Sequence, residues 1–81
     1  MIMKTAKMKI TTIADVRDFV DRVRDYPGDI DLTSDRYVVD AKSIMGIFSL
    51  GLTQTIQITV HGDDDKAEAF LETIKEFLVD E

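Results

Sequence analysis

Polar and apolar residues alternate along several stretches of the chain, which is the pattern of β-strands with one buried face. The alternation runs from Thr5 to Ile10, from Asp29 to Thr33, and again from Thr55 to Val60. The run Tyr37-Val38-Val39 is aromatic and β-branched and follows a turn at Ser34-Asp35, so it predicts the returning strand of a hairpin. We therefore expect four strands.

Between these strands, apolar residues recur at helical spacing. Thr12 and Asp15 resemble a capping box that begins the first helix, and Tyr26-Pro27-Gly28 ends it. Ser43 is the predicted N-cap of a short second helix, and the acidic run Asp63–Asp65 suits the positive end of a third. The predicted buried stripes are Ile13, Val16, Phe19, Val20 and Val23 in the first helix, and Ala67, Phe70, Leu71, Ile74, Phe77 and Leu78 in the third.

The resulting order is βαββαβα, and the chain shows no linker, repeat or low-complexity segment. With 81 residues, it is long enough for one compact domain spanning residues 1–81. Each element must bury one face, so we expect an α+β fold in which helices cover one face of a single four-stranded sheet.

The composition and motifs of the chain disfavour several classes of function. Ten basic and sixteen acidic residues give a net charge of −6, which disfavours nucleic acid and anionic membranes as partners. Cysteine is absent, and the run Asp63–Asp65 lacks the spacing of a calcium loop. No nucleophile–base pair or phosphate-binding glycine loop is present. We therefore expect no enzymatic activity, no metal and no cofactor, and, without a signal peptide, a cytoplasmic location.

One segment carries a specific resemblance. The run from Val39 to Leu52, with Lys42-Ser43-Ile44-Met45-Gly46 at its centre and Ser49-Leu50-Gly51 after it, resembles the regulatory-serine segment of the histidine-containing phosphocarrier (HPr) family. Residues 55–62 are similar to the last strand of that family, and Asp64–Leu78 to its final helix. The resemblance implies an HPr-like open-faced β-sandwich with a mainly antiparallel sheet.

The chain departs from the family at the phosphoacceptor histidine, which precedes the first helix and is followed by alanine, arginine and proline. The family's spacing, counted back from Ser43, places Thr12 at this position and Ala14 at that of the arginine. A threonine hydroxyl forms only a phosphate ester, which is a poor phosphoryl donor. Thr12 is therefore predicted to be a helix cap and not a carrier. In lacking the active-site histidine, the chain resembles catabolite-repression HPr-like proteins.

The retained segment implies regulation and binding. In the family, the serine that matches Ser43 is phosphorylated by an ATP-dependent kinase, and the helix after it docks kinases, regulators and transport components. The matching binding residues are Lys42, Ile44, Met45 and Phe48. From the residues alone, Ser43 can equally be only an N-cap, and the apolar residues can equally belong to the core.

Three hypotheses remain. The first is a non-catalytic regulatory or adaptor protein that binds through the Ser43 helix. The second is a working carrier of the phosphoenolpyruvate-dependent sugar phosphotransferase system with an unconventional acceptor, for which His61 is the only histidine. We expect His61 at the opposite end of the sheet from Thr12, beside the acidic run, which disfavours this role. The third is a structural relic or assembly domain whose partner contacts do not depend on Lys42, Ile44, Met45 and Phe48.

Overall fold

A computed structural model describes residues 3–35, 37–51 and 54–79 of the chain. Its elements follow the predicted order βαββαβα. The strands are β1 (Met3–Met8), β2 (Ile30–Ser34), β3 (Tyr37–Asp40) and β4 (Ile56–His61), and the helices are α1 (Ile13–Arg24), α2 (Ile44–Leu50) and α3 (Asp64–Thr73), followed by a 3-10 turn at Lys75–Phe77. None of the described helices has both the length and the apolar character that a membrane crossing requires.

The strands form one sheet in the order β1-β4-β2-β3, and every pair of neighbours is antiparallel. Because β1 and β2 both pair with β4, they run in the same direction with β4 between them. Ala6, Ile58 and Leu32 lie side by side across the central strands. The predicted α+β sheet with helices is confirmed.

The core lies between the helices and the face of the sheet that carries these residues. Phe19 of α1 contacts Phe77 edge-on, with ring centroids 6.2 Å apart, and Tyr26 packs on Phe70 of α3. The predicted stripe of α1 is buried except for Ile13, which is 61% exposed. That part of the prediction was wrong because the N-cap Thr12 and the first two helical residues, Ile13 and Ala14, are all exposed, so the stripe enters the core only at Val16.

The last helix is shorter than predicted. It ends at Thr73, and Leu78 forms a β-bridge with Met8 instead of a helical turn. The Lys9 amide donates to the Phe77 carbonyl and the Val79 amide to the Lys7 carbonyl, each at 2.9 Å. The C-terminal segment leaves the helical path because it supplies hydrogen-bond partners to the outer edge of β1.

Candidate functional site

The turn between β3 and α2 holds Ser43 in a fixed position. Its backbone is extended, with φ −97° and ψ 107°, and its Oγ accepts a hydrogen bond of 3.0 Å from the Gly46 amide. Asp40 fixes the preceding residues, because its carboxylate accepts from the Lys42 amide at 2.8 Å and its carbonyl from the Ser43 amide at 3.0 Å. Ser43 is therefore the N-cap of α2, as the sequence predicted.

Gly46 sets the space around the Ser43 hydroxyl. A Cβ at this position would lie 3.1 Å from Ser43 Oγ and 3.1 Å from Val39 Cβ. The missing side chain lets α2 close onto β3 while the capping bond forms. Sequence reasoning included Gly46 in the motif without a role, because its neighbours become visible only once α2 is packed against the sheet.

The exposed side of α2 carries two large apolar side chains beside the polar Ser49. Met45 is 82% exposed and Phe48 is 39% exposed, whereas Ile47 and Leu50 are buried. Ile44 is half-buried and packs against the edge of the core. The four binding residues implied by the resemblance form the surface that we call the α2 patch: Lys42, Ile44, Met45 and Phe48. Apolar surface of this kind on a small protein commonly marks a site of protein contact.

Thr12 caps α1 in the same manner. Its backbone is extended, with φ −130° and ψ 157°, and its Oγ1 accepts a hydrogen bond of 3.1 Å from the Asp15 amide. The acidic Asp15 lies in the first turn of the helix, and the exposed Ile13 and Ala14 lie between it and the cap. The hydroxyl thus has an established structural role, and the residue at the predicted arginine position, Ala14, brings no positive charge.

The fold agrees with comparisons to known proteins. A family model described as the PTS HPr component phosphorylation site matches residues 15–80. The chain belongs to the HPr family. The match begins at Asp15 and so lies after Thr12, while it includes Ser43 and all of the α2 patch. Among curated proteins, none matches the sequence significantly.

Two solved HPr structures resemble the whole molecule. The phosphocarrier protein HPr from Bacillus anthracis str. Ames is 30% identical with a TM-score of 0.72, and the match covers 95% of this chain and 98% of that chain. HPr-C-His from Thermoanaerobacter tengcongensis is also 30% identical, with a TM-score of 0.71 and coverage of 94% and 93%. The chain therefore has the HPr fold, although Leu52, the end of the matching motif, lies outside the described residues.

His61, the only histidine of this HPr-family chain, lies far along the sheet from Thr12. It pairs with Met3 at the start of β1, whereas Thr12 follows the other end of that strand. Its Nε2 lies 3.0 Å from Asp31 Oδ2, and its carbonyl accepts a hydrogen bond of 2.6 Å from the Tyr26 hydroxyl. Sequence reasoning missed the Asp31 contact because the pair is 30 residues apart.

A shallow depression beside the His61 ring is acidic. It is lined by Gly28, Asp29, Asp31, Asp40 and Gly62. The HPr carrier reaction would bring a phosphoryl group with negative charge to the ring, and these carboxylates would repel it. Among the residues that the structure describes, no lysine or arginine lines the depression to offset that repulsion.

The acidic run at the start of α3 makes structural contacts. Asp63 is the N-cap without a side-chain hydrogen bond, and Asp64 and Glu68 contact Lys4 Nζ at 3.9 Å and 3.0 Å. The Glu68 hydrogen bond, followed by the charge of Asp64, raises the pKa of Lys4. Within residues 3–35, 37–51 and 54–79, no group of three or more acidic or histidine side chains is placed to hold a metal ion.

Proposed function

We propose that this HPr-family protein is a non-catalytic regulatory or adaptor protein that binds protein partners through the α2 patch. The observation that carries the proposal is the exposure of Met45, 82%, on the helix that the retained Ser43 caps. A long apolar side chain in water contributes nothing to the stability of the monomer, and it offers area for burial against a partner.

The loss of the carrier role follows from chemistry at the other helix. Phosphoryl transfer between proteins needs an acceptor that releases the group readily, and a phosphoimidazole does so. Thr12 offers a hydroxyl that already accepts the Asp15 amide, and a phosphate ester there would be stable. Asp15 in the same turn adds negative charge, which opposes a second anion at this position.

Ser43 is the proposed control point of the patch. The hydroxyl lies two residues before the exposed Met45 and follows the exposed Lys42. A phosphate here adds roughly −2 charge next to an apolar surface. A partner with acidic residues around its binding groove would then be released, and one with arginine or lysine there would be favoured. The charge would therefore select among partners.

The partners we propose are those of the family: an HPr-type kinase, regulators or transport components, all in the cytoplasm. The α2 segment has no ionisable side chain of its own. The interface with a partner would therefore be apolar at its centre, with Lys42 at its margin. Phosphorylation of Ser43 would add negative charge to this interface.

The test is incubation with an HPr-type serine kinase and ATP, followed by intact mass measurement. We expect one added phosphate on the wild type and on Thr12→Ala, and none on Ser43→Ala. Thr12→Ala is the matched control because it removes the other N-capping hydroxyl. An unmodified wild type, or equal labelling of Ser43→Ala, would refute control at Ser43.

A second candidate, a carrier that uses His61, is favoured by one contact. The Asp31 carboxylate at 3.0 Å would orient the imidazole ring, as carboxylates do for catalytic histidines. The acidic surroundings of the ring oppose it. This candidate predicts an acid-labile phosphate from phosphoenolpyruvate that is lost in His61→Ala, and the absence of such a label removes it.

A further inference from the structure

The two edges of the sheet differ in whether another segment pairs with them. The outer edge of β1 is covered at Lys7–Lys9 by the segment from Phe77 to Val79. The other edge is β3, and no strand among the described residues pairs with its outer side. The side chains of Tyr37 and Val38 on this edge are 69% and 64% exposed. An apolar open edge without proline or lysine is a template for another strand.

The hydrogen-bond phase of the β2–β3 ladder identifies which backbone groups point outward. Ala41 donates to the Ile30 carbonyl at 2.9 Å, so residues 41 and 30 form a hydrogen-bonded pair. Antiparallel ladders alternate between hydrogen-bonded and non-bonded pairs. Val39, opposite Leu32, therefore bonds to β2, and Val38, opposite Thr33, directs its N–H and C=O away from β2.

We propose that β3 is a homodimerisation edge, at which a second copy of this chain pairs antiparallel about Val38. In a two-fold symmetric antiparallel pair, one residue lies on the axis opposite its own copy. The outward-pointing backbone groups allow this central residue to be 37, 38 or 39. Centring on 37 sets Val39 opposite Asp35, and centring on 39 sets Val38 opposite Asp40. Only the register centred on Val38 sets each of the three residues Tyr37, Val38 and Val39 opposite an apolar residue.

In that register, the two Val38 residues exchange two backbone hydrogen bonds on the symmetry axis. Tyr37 of each copy faces Val39 of the other, an aromatic–β-branched pair that stabilises antiparallel strands. The self-complementary order of these side chains is why we assign the edge to a second copy.

The dimer would bring the two α2 patches to one side. A two-fold axis perpendicular to the sheet preserves its faces, and α2 packs over β3 close to Val39. Both patches would then flank the seam on the helical face and present a bivalent surface. Because β3 has only four residues and each copy carries a charge of −6, we expect a weak dimer that is strengthened by salt.

Symmetric cross-linking tests the register, since the chain has no cysteine of its own. Bonded residues of an antiparallel pair have Cα atoms about 5.5 Å apart, within the range of a disulfide. We expect Val38→Cys to form a disulfide dimer on mild oxidation. Thr33→Cys is the matched control, because it lies opposite Val38 on the inner strand and should stay monomeric.

Sedimentation equilibrium of uncross-linked protein supplies the second readout. We expect the wild type and Val38→Thr to associate reversibly with rising concentration, and Val38→Pro, which lacks the amide donor, to remain monomeric while folded by circular dichroism. A wild type that stays monomeric at millimolar concentration overturns the proposal. So does a dimer that persists in Val38→Pro, or equal cross-linking of the two cysteine variants. Loss of the dimer would leave kinase labelling of Ser43 unchanged, so the two proposals fail separately.

Discussion

The N-termini of α1 and α2 have the same cap and opposite surroundings. Thr12 Oγ1 and Ser43 Oγ each accept a hydrogen bond from the amide three residues ahead, at 3.1 Å and 3.0 Å. Beyond the cap, α1 has 12 residues with four buried, whereas α2 has seven residues with Met45 in water. Capping explains both hydroxyls equally well, so it cannot distinguish a functional residue from a structural one.

The two helices differ in how far their apolar side chains are buried. The α1 helix is tied to the C-terminal segment by Arg22, which donates to the Thr73 carbonyl and the Glu76 carboxylate and lies 5.1 Å from the Phe77 ring centroid. The α2 helix has no charged side chain and leaves apolar area uncovered. The α1 helix thus buries most of its apolar residues in the core, whereas the uncovered apolar area of α2 is what the proposed binding role uses.

The largest expected effect is the loss of partner binding when the patch is charged. Met45→Asp should weaken binding of a partner at least about tenfold, because a carboxylate would be buried in an apolar contact. The matched variant Ile13→Asp charges an exposed apolar residue beside the other cap and should change binding by less than about threefold. Isothermal titration calorimetry measures both, and equal losses would contradict the contrast between the helices.

Aspartate substitutions at the two caps sharpen the comparison further. Aspartate caps helices as well as serine or threonine, so Ser43→Asp and Thr12→Asp should both keep the unfolding free energy within about 0.5 kcal/mol. Only Ser43→Asp places a charge beside the patch, and we expect it to shift partner affinity by about three- to tenfold. Binding that responds to Thr12→Asp and ignores Ser43→Asp would reverse our assignment.

Removing either cap should have nearly the same effect on stability. Thr12→Ala and Ser43→Ala each leave a helical amide without its partner, which costs about 1 kcal/mol of unfolding free energy. Urea denaturation gives both values. A Ser43→Ala variant as stable as the wild type would show that the serine is present for its chemistry alone, whereas a far larger loss would indicate a further structural role.

The smallest effect is the pH dependence of the Arg22 contact. Its hydrogen bonds lower the pKa of Glu76 from the usual value of 4.5. The folded state therefore binds the Glu76 proton more weakly than the unfolded state does. The contact stabilises the folded state fully at pH values above the usual pKa of Glu76. This stabilisation is lost as the pH falls through the lower pKa of the folded state. Glu76→Gln should be less stable than the wild type near neutrality, and the gap should close on acidification in urea titrations. A gap independent of pH would contradict the ion pair.

The periodicity of apolar residues was sufficient to predict the strands and helices that bury one face. The alternation around Ile56, Ile58 and Val60 and the spacing of Phe19, Val20 and Val23 predicted the sheet and α1, because burial and pattern have the same cause. Pattern also put Ser43 at an N-cap. Domain count stays a prediction.

Features that depend on contacts between distant segments could not be predicted from the sequence. Leu78 fits a helical stripe and yet bridges to Met8, because the edge of β1 needs partners that helical spacing does not reveal. The Asp31–His61 contact depends on the register of β2 with β4. Ile13 fits its stripe as well, but one position in a periodic pattern does not show where a helix leaves the core.

Our account rests on the inability of a hydroxyl at Thr12 to hold a phosphoryl group and pass it on. The most direct measurement is a phosphotransfer assay with phosphoenolpyruvate, the general enzyme of the phosphotransferase system and a downstream carrier, using an authentic HPr as the positive control. We predict no acid-labile phosphate on this protein and no label on the downstream carrier. Phosphate that reaches the downstream carrier through this protein would contradict the account.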